Sequence, residues 1–478
     1  MSNSFFTNNQ QIGDDINGSS TSEFTGFSVS LSANGSILAT GVPSYSSNGI
    51  TSGKVRVYQN TNNNWIQLGQ DIVGETIGDE FGGSVSLSSD GTVIAVGAPQ
   101  NDGNGPASGH VRIYQYANGT WTQLGQDIDG EASDDRSGIS VSLSSDGSIV
   151  AIGADLNESS GGNNKGHVRI YQNANGTWTQ LGQDIDGEAS DDRSGISVSL
   201  SSDGTIVAIG AHRNGNDSGH VRIYQYANNS WSQLGQDIDG EGSANFSGTS
   251  VSLSSDGTIV AIGSPTALNQ AGNERSGQVQ IYQYTNNNWT QLGQDIHGES
   301  FGDHFGESVS ISSDGSVVAI GAPYNDGNGS RSGQVQIYQY SNNNWIQVGQ
   351  DFDGEDSNDD SGAAVSISAD GSTVAIGASS NDGNGGSGTR QGHVRVFRTG
   401  VTQDLILTSA TSVSVLNGYD LQKSGTITAT VTETDVATLK TLTDTNSNNA
   451  YSITISDSTV SALDLLTIDG ITSVPINA

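Results

Sequence analysis

The chain has 478 residues, with 16 Lys and Arg against 51 Asp and Glu, a net charge of −35 and no cysteine. Such a charge argues against nucleic acid and anionic membrane surfaces, since both are bound through cations. It leaves cations, cationic partners and neutral glycans, and it favours solubility; the lack of cysteine excludes disulfides, thiolate metal sites and a Cys nucleophile.

Hydrophobic residues make up only 32% and 65 residues are glycine. The apolar residues nevertheless fall in short, evenly spaced runs of Val, Ile, Leu and Ala, the mark of many short strands joined by tight turns. No apolar run reaches about 18 residues, so no membrane insertion by a helix is expected. The start, MSNSFFTNNQ, has neither a basic segment nor an apolar one, so no secretory signal is expected there. Together with a composition rich in Asn, Ser, Thr and Gly and poor in Lys, this gives the expectation of an extracellular, cell-surface or virion protein. Such a protein is released by lysis or exported by a route that needs no N-terminal signal.

Residues 1–9 read as a polar lead. Gln11–Gly18, QIGDDING, matches QLGQDIDG at 123–130, 180–187 and 233–240, but Asn9 stands where a Trp precedes the other copies. The first full unit then follows. SVSLSANG (28–35) and SILATGVP (36–43) predict two strands around a tight turn, GKVRVYQN (53–60) a third, and WIQLGQDI (65–72) a fourth. Alternation in SVSLS sets Val29 and Leu31 on one face and the serines on the other. Later copies carry Ser-Asp-Gly at the first turn, where Asp and Gly tolerate positive φ.

The unit recurs about every 56 residues, and such a period decides a fold before any single residue does. First-strand copies start at Ser28, Ser84, Ser140, Ser197, Ser250, Ser308 and Ala364, and third-strand copies near Gly53, Gly109, Gly166, Gly219, Gly277, Gly333 and Gly392. Six fourth strands begin at Trp65, Trp121, Trp178, Trp231, Trp289 and Trp345. The N-terminus thus has one fourth strand too many, and the last unit, ending in GHVRVF (392–397), lacks one. A solenoid would leave both ends free and need caps. A ring would use the N-terminal strand to complete the last unit, so an all-β, seven-bladed β-propeller over 10–400 is predicted.

The repeat resembles the FG-GAP family, the propeller type of integrin heads. Two units spell the name, Phe81-Gly82 with Gly97-Ala98-Pro99 and Phe305-Gly306 with Gly321-Ala322-Pro323; Gly26, Gly138, Gly195, Gly248 and Gly362 hold the second position elsewhere. The resemblance implies a propeller used for recognition or adhesion. Calcium-binding members carry D-x-D-x-D-G between the first two strands; here that loop is Ser-Ser-Asp-Gly, as at 88–91 and 312–315, so the family's metal site does not carry over.

Residues 401–478 lack Trp and the repeat. SGTITATVT (424–432) and AYSITISD (450–457) predict strands, and TDVATLKTLT (434–443) and TVSALDLLTI (459–468) short helices. A small α+β or mostly-β domain for assembly or attachment is expected. Around ATLKTLTDTNSNNAYSITISDS it resembles repeats in surface proteins of marine bacteria and virion proteins of their phages.

Candidate chemistry is sparse. His110, His167, His220 and His393 share one repeat position, which reads as packing or hydrogen bonding rather than acid–base catalysis; His212, His297 and His304 lie in loops. No G-x-S-x-G, H-E-x-x-H or P-loop occurs, and no catalytic residue or organic cofactor is assigned. Arg56, Arg112, Arg169, Arg222 and Arg395 are expected to pair with Asp71, Asp127, Asp184, Asp237 and their equivalents. The tryptophans read as blade anchors, with sugar stacking as the alternative.

The acidic loops between units gather Glu75, Asp79, Glu131, Asp135, Glu188, Asp192, Glu299, Asp303, Glu355 and Asp359 on one face, as candidate calcium ligands. The NDGNG loops add Asn101, Asp102, Asn325, Asp326, Asn381 and Asp382 as candidate ligand-binding residues. The leading expectation is a non-enzymatic recognition or structural protein, used in adhesion or as a virion appendage. Its partners would be a protein or glycan on a surface, or other virion proteins. A secreted glycan-binding lectin and a polysaccharide-acting enzyme are the alternatives.

Overall fold

A computed structural model describes residues 10–44, 46–47, 50–158, 163–269, 271–382 and 388–401, with 405–406, 427–430 and 450–452 beyond them. The chain divides into two compact units, Met1–Thr399 and Gly400–Ala478.

The first unit is a seven-bladed propeller. Each of the first six blades is an antiparallel sheet in sequence order, such as Ser84–Leu87, Val93–Ala98, His110–Ala117 and Thr120–Gln123. The seventh is completed by the N-terminus: Gln10–Gln11 and Ile16–Asn17 both pair with His393–Arg398, with Gln11 opposite Phe397 and Ile16 opposite Val394. The orphan segment at 11–18 closes the ring and removes the free edges that would template aggregation.

The fourth strand differs from the single run predicted. It is two pieces, such as Thr120–Gln123 and Ile128–Asp129, both paired with the third strand. Gln123 faces Tyr114 and Ile128 faces Val111, so the four residues Leu124–Asp127 oppose only Arg112 and Ile113. Gly125 takes φ +83° in this bulge. A bulge re-aims side chains, and here it sends Gln126 to the next blade and Asp127 back to Arg112.

The serines of SVSLS do not face solvent. Ser86 Oγ accepts the Leu143 N–H of the next blade at 3.0 Å, and six equivalent bonds, ending with Ser366 to Leu31, complete the circle. A second circle is pure backbone: Ala33 N–H donates to Ser89 O, Ser89 to Ser145, and so on until Ala369 N–H donates to Ala33 O at 2.8 Å. These residues line a cavity of about 160 Å³ on the axis.

The apolar core lies between blades. Val93, Ala95, Val111 and Ile113 of the second blade pack on Val141, Leu143, Val150, Ile152 and Trp178 of the third. The second strands are therefore buried on both faces, as in Ile149–Ala154. At the closing seam Ile12 and Ile16 join Val29, Leu31, Leu38, Val394 and Val396. The GAP glycine explains itself here: a Cβ on Gly97 would lie 2.1 Å from Gly138 O of the loop leading into the next blade.

In the second unit Leu405–Ile406, Ile427–Thr430 and Ala450–Ser452 form a parallel three-stranded sheet. The last two strands fall inside the segments predicted as strands; the predicted helices at 434–443 and 459–468 lie outside the described residues.

Candidate functional site

The loops joining blades and the loops between second and third strands meet on one face, as predicted. Asp79 and Asn101 show how. Asp79 Oδ2 accepts the Thr76 N–H at 3.0 Å and the Asn101 Nδ2 at 3.1 Å, and Asn101 Oδ1 accepts the Gly103 N–H at 2.8 Å. Asp135, Asp192 and Asp303 repeat the arrangement with Asn157, Asn214 and Asn325. Asp359 takes the N–H groups of Glu355 and Asp356. These five aspartates are 1–3% exposed. Burial pushes Asp303 and Asp359 up from the usual carboxylate range, against the loop N–H bonds that stabilise the charge.

The NDGNG residues serve the same loops. Asp102 Oδ1 accepts the Ala107 N–H, Asp326 Oδ1 the Arg331 N–H, and Asp382 the N–H groups of Gly388 and Arg390. Asn381 is 5% exposed. A sequence signal for the Asp–Asn pairs was present and missed: the Asn stands 22 residues after its Asp in each bonded pair.

The glutamates turn toward the third strand of the following blade. Glu75 pairs with Arg112, Glu131 with Arg169, Glu188 with Arg222 and Glu355 with Arg395; Glu299 accepts from Gln336. The expected Arg–Asp pairs form in two blades, Arg56–Asp71 at 3.1 Å and Arg112–Asp127 at 2.6 Å. Arg169, Arg222 and Arg395 instead donate to the carbonyls of Asp129, Asp186 and Asp353, which end the fourth strand of the preceding blade. The ten candidate calcium ligands thus form two spatial sets, buried loop aspartates and glutamates of which four face arginines and Glu299 faces Gln336.

What the structure does bring together is a repeated His–carboxylate group. Glu131, His167 and Asp184 place their ligand atoms within 4.8 Å of one another, as do Glu188, His220 and Asp237, and Asp15, Glu355 and His393; His110 sits with Asp127 and Asp129. These histidines are 1–2% exposed. Burial, reinforced by the neighbouring Arg169 and Arg395, lowers His167 and His393 to about 4, so both rings are neutral near pH 7. Where His becomes Gln278 or Gln334, the Arg two residues on becomes Gln280 or Gln336, whereas the first blade has Lys54 and keeps Arg56.

A different set departs from the repeat. Phe24, Glu80, Arg136, Arg193, Phe246, His304 and Asp360 occupy one repeat position, all at φ between 53° and 59°. They stand four residues before the first strands, in the loops that lead from one blade into the next. Arg136 and Arg193 flank Asp155 at 3.8 and 3.7 Å. Asp155 is fully buried, with no hydrogen bond to either carboxylate oxygen among the described residues. Burial raises its pKa against the pull of Arg136 and Arg193. Farther round, His212 packs on Phe246 at 5.8 Å and His304 on Tyr324 at 4.5 Å. Arg331 covers the Tyr324 ring at 4.1 Å and bonds Asp360 at 2.9 Å. This crown was not found from sequence, because its residue type changes from blade to blade although its place in the repeat does not.

The six tryptophans divide as well. Trp121, Trp178, Trp231, Trp289 and Trp345 are 3% exposed and donate Nε1–H to a leucine carbonyl of the preceding blade. Trp65 makes the corresponding bond to Ile12 O but is partly exposed.

Comparisons with known proteins agree with this architecture. Residues 75–114 and 298–338 match the FG-GAP repeat family; these are the segments containing the two complete signatures. No curated protein matches the sequence. Among solved structures, hydrazine synthase from Kuenenia stuttgartiensis aligns with TM-score 0.51 at 13% identity, over 81% of this chain and 97% of that one. A protein described as a candidate 6-phosphogluconolactonase from Bacteroides uniformis aligns with TM-score 0.48 at 11% identity, over 69% of this chain and 85% of that one. At these identities the likeness to the first concerns the fold alone. The chain is a seven-bladed β-propeller that carries FG-GAP repeats at two places, each spanning the entry loop and first three strands of the second or sixth blade.

Proposed function

We propose that the protein is a non-enzymatic recognition module whose crown, in the loops that join the blades, contacts the partner. One observation carries this reading. The blades repeat their Val, Ile, Gly, Ser and Trp positions almost unchanged, whereas the crown places Glu, Arg, Phe, His and Asp at equivalent sites. A rigid scaffold with variable loops is how recognition surfaces are commonly built. Arg136 and Arg193, held beside a single carboxylate in a chain of net charge −35, suit an acidic group on the partner. The aromatic side, with Tyr324 and Phe246, suits an apolar neighbour of that group.

The more specific version is a cell-surface or virion component, with residues 401–478 serving attachment. Composition and the resemblance around 437–458 support it. The carboxylates read as calcium ligands are not part of this proposal: each of the five aspartates uses Oδ2 to hold its own loop, and most of the glutamates face arginines.

Mass spectrometry of native preparations tests the reading. Co-purification with a virion or cell envelope is expected, and the Arg136→Asn/Arg193→Asn variant should lose it while staying folded, since Asn tolerates positive φ. Absence from every particle and envelope, or retention unaffected by the double variant, would overturn the crown's role.

A further inference from the structure

We propose that the seam where the chain closes on itself holds a binding subsite for one neutral sugar ring, with the Trp65 indole as its stacking surface. The inference comes from one break in the ring's symmetry. At five seams a Gln in the fourth-strand bulge grips the backbone of the next blade's Trp in both directions. Gln126 Nε2 donates to Trp178 O at 2.7 Å, and Trp178 N–H donates to Gln126 Oε1 at 3.2 Å. Gln70, Gln183, Gln236 and Gln294 do the same for Trp121, Trp231, Trp289 and Trp345.

At the closing seam Asp14 occupies that position. A carboxylate has no N–H to give the Trp65 carbonyl, and no Asp14–Trp65 bond forms. Trp65 is partly exposed, and a cavity of about 250 Å³ opens beside it, lined by Asp14, Asp15, Asn17, Tyr58, Asn64 and Trp65.

Blade three serves as an internal control. In both the first and third blades the Tyr that packs on Trp elsewhere is replaced, by Asn60 and Asn173. Trp178 is nevertheless 3% exposed, with its Gln clamp in place. The missing Tyr therefore does not open the site; Asp14 does. The rest of the seam keeps its form. A Cβ on Gly13 would lie 3.1 Å from Trp65 Cδ1, much as one on Gly125 would lie 2.8 Å from Trp178 Cδ1.

The lining chemistry selects the ligand. An indole face stacks on the C–H face of a pyranose and buries it. Asp14 and Asp15 accept hydrogen bonds from adjacent hydroxyls, and the amides of Asn17 and Asn64 both donate and accept. Two carboxylates disfavour uronic and sialic acids. The volume falls below the roughly 300 Å³ of the smallest drug-sized pockets, which fits one ring rather than a buried oligosaccharide. The proposal rests on the recognition reading only in taking the propeller to bind rather than transform its ligand. Its residues are separate from the crown.

Saturation-transfer NMR on the full chain decides it, using the methyl glycosides of glucose, galactose, mannose and N-acetylglucosamine, with glucuronate as the acidic control. Transfer to at least one neutral glycoside and none to glucuronate is expected. Asp14→Gln, which rebuilds a clamp present at five other seams, should weaken binding at least about tenfold without loss of stability; Trp65→Ala should do the same. No transfer to any neutral glycoside at millimolar concentration, binding unchanged in Asp14→Gln, or equal binding of glucuronate would overturn the proposal. In Arg136→Asn/Arg193→Asn, sugar transfer retained with particle association lost separates the seam from the crown, so each reading can fail alone.

Discussion

At the scale of single residues, the propeller holds its polar groups partly through neighbours in the next repeat and partly within their own turns. His167 is the informative case. Burial and Arg169 hold its folded pKa near 4, below the value of about 6.5 for an unfolded imidazole. The unfolded chain therefore binds the proton more readily. Stability on this account is complete above pH 6.5 and is lost as pH falls from 6.5 toward 4. His167→Gln, the residue used at this position in two other blades, should flatten that part of the stability–pH curve, measured by urea unfolding between pH 7 and 4. An unchanged slope would mean that His167 titrates normally in the fold. The turn aspartates act lower on the scale. Burial pushes Asp90 up, but the Thr92 N–H and the hydroxyls of Ser88 and Thr92 outweigh it and leave its pKa lowered. Its contribution is present above the unfolded carboxylate range and disappears as pH falls below it.

Residue identities also show why much of the candidate site was hidden in the sequence. Asp79 and Glu75 are four positions apart in one acidic loop and look alike as charges. One is buried among loop N–H groups, while the other pairs with Arg112 from the following blade. Only the bend of the loop separates these roles. Asp14 differs from its Gln equivalents by one functional group, and its effect needs the neighbouring Trp to be in place before it becomes visible.

At the scale of the element, the fourth strand works as a clasp rather than as a continuous strand. Its bulge frees a Gln to hold the next blade. Gln126→Ala removes two intermolecular-like contacts across the seam, to Trp178 N–H and O. A net loss of about 1–3 kcal/mol is expected, because each ordinary hydrogen bond contributes about 0.5–1.5 kcal/mol; urea unfolding measures it. Trp178 should also become more accessible to acrylamide quenching. A variant with parental stability and quenching would show that the clamp contributes nothing. The first strand depends on the same cross-blade logic. Ser86→Ala strands the Leu143 N–H, which should cost about 1–3 kcal/mol if the amide stays dry. Amide exchange at Leu143 should accelerate at the same time.

The strands themselves were legible because alternation, Ser-Asp-Gly turns and Asn-rich turns report local backbone geometry. The split of the fourth strand was not. WIQLGQDI carries one Gly and no break in its apolar pattern, and the bulge is set by the third strand against which it pairs. The serines of SVSLS were assigned to a face, but not to what that face meets. Alternation tells which side a residue points to, while the next blade decides whether that side meets water.

For the whole propeller, ring closure is the central feature. Three circles of contact run around the axis: the serine bonds, the backbone bonds from Ala33 to Ala369, and the apolar cores between blades. Deleting residues 1–17 removes both pieces of the seventh blade's fourth strand and uncovers Val394 and Val396. Loss of a single cooperative thermal transition and concentration-dependent aggregation are expected, read by calorimetry and light scattering. A truncated chain that melts as one unit at the parental temperature would show that closure is dispensable.

Repeat number, blade order and ring closure were determined by the sequence alone, because each blade is a local structure and a surplus strand at one end can be counted against a deficit at the other. Blade-to-blade chemistry was decided only by the tertiary structure. The Arg that pairs with its own bulge in one blade reaches the preceding blade's fourth strand in another, and a single Trp out of six is uncovered at the closing seam. Those outcomes depend on residues about 50 positions apart or at opposite ends of the chain, and no local pattern reports what a side chain meets across such a distance.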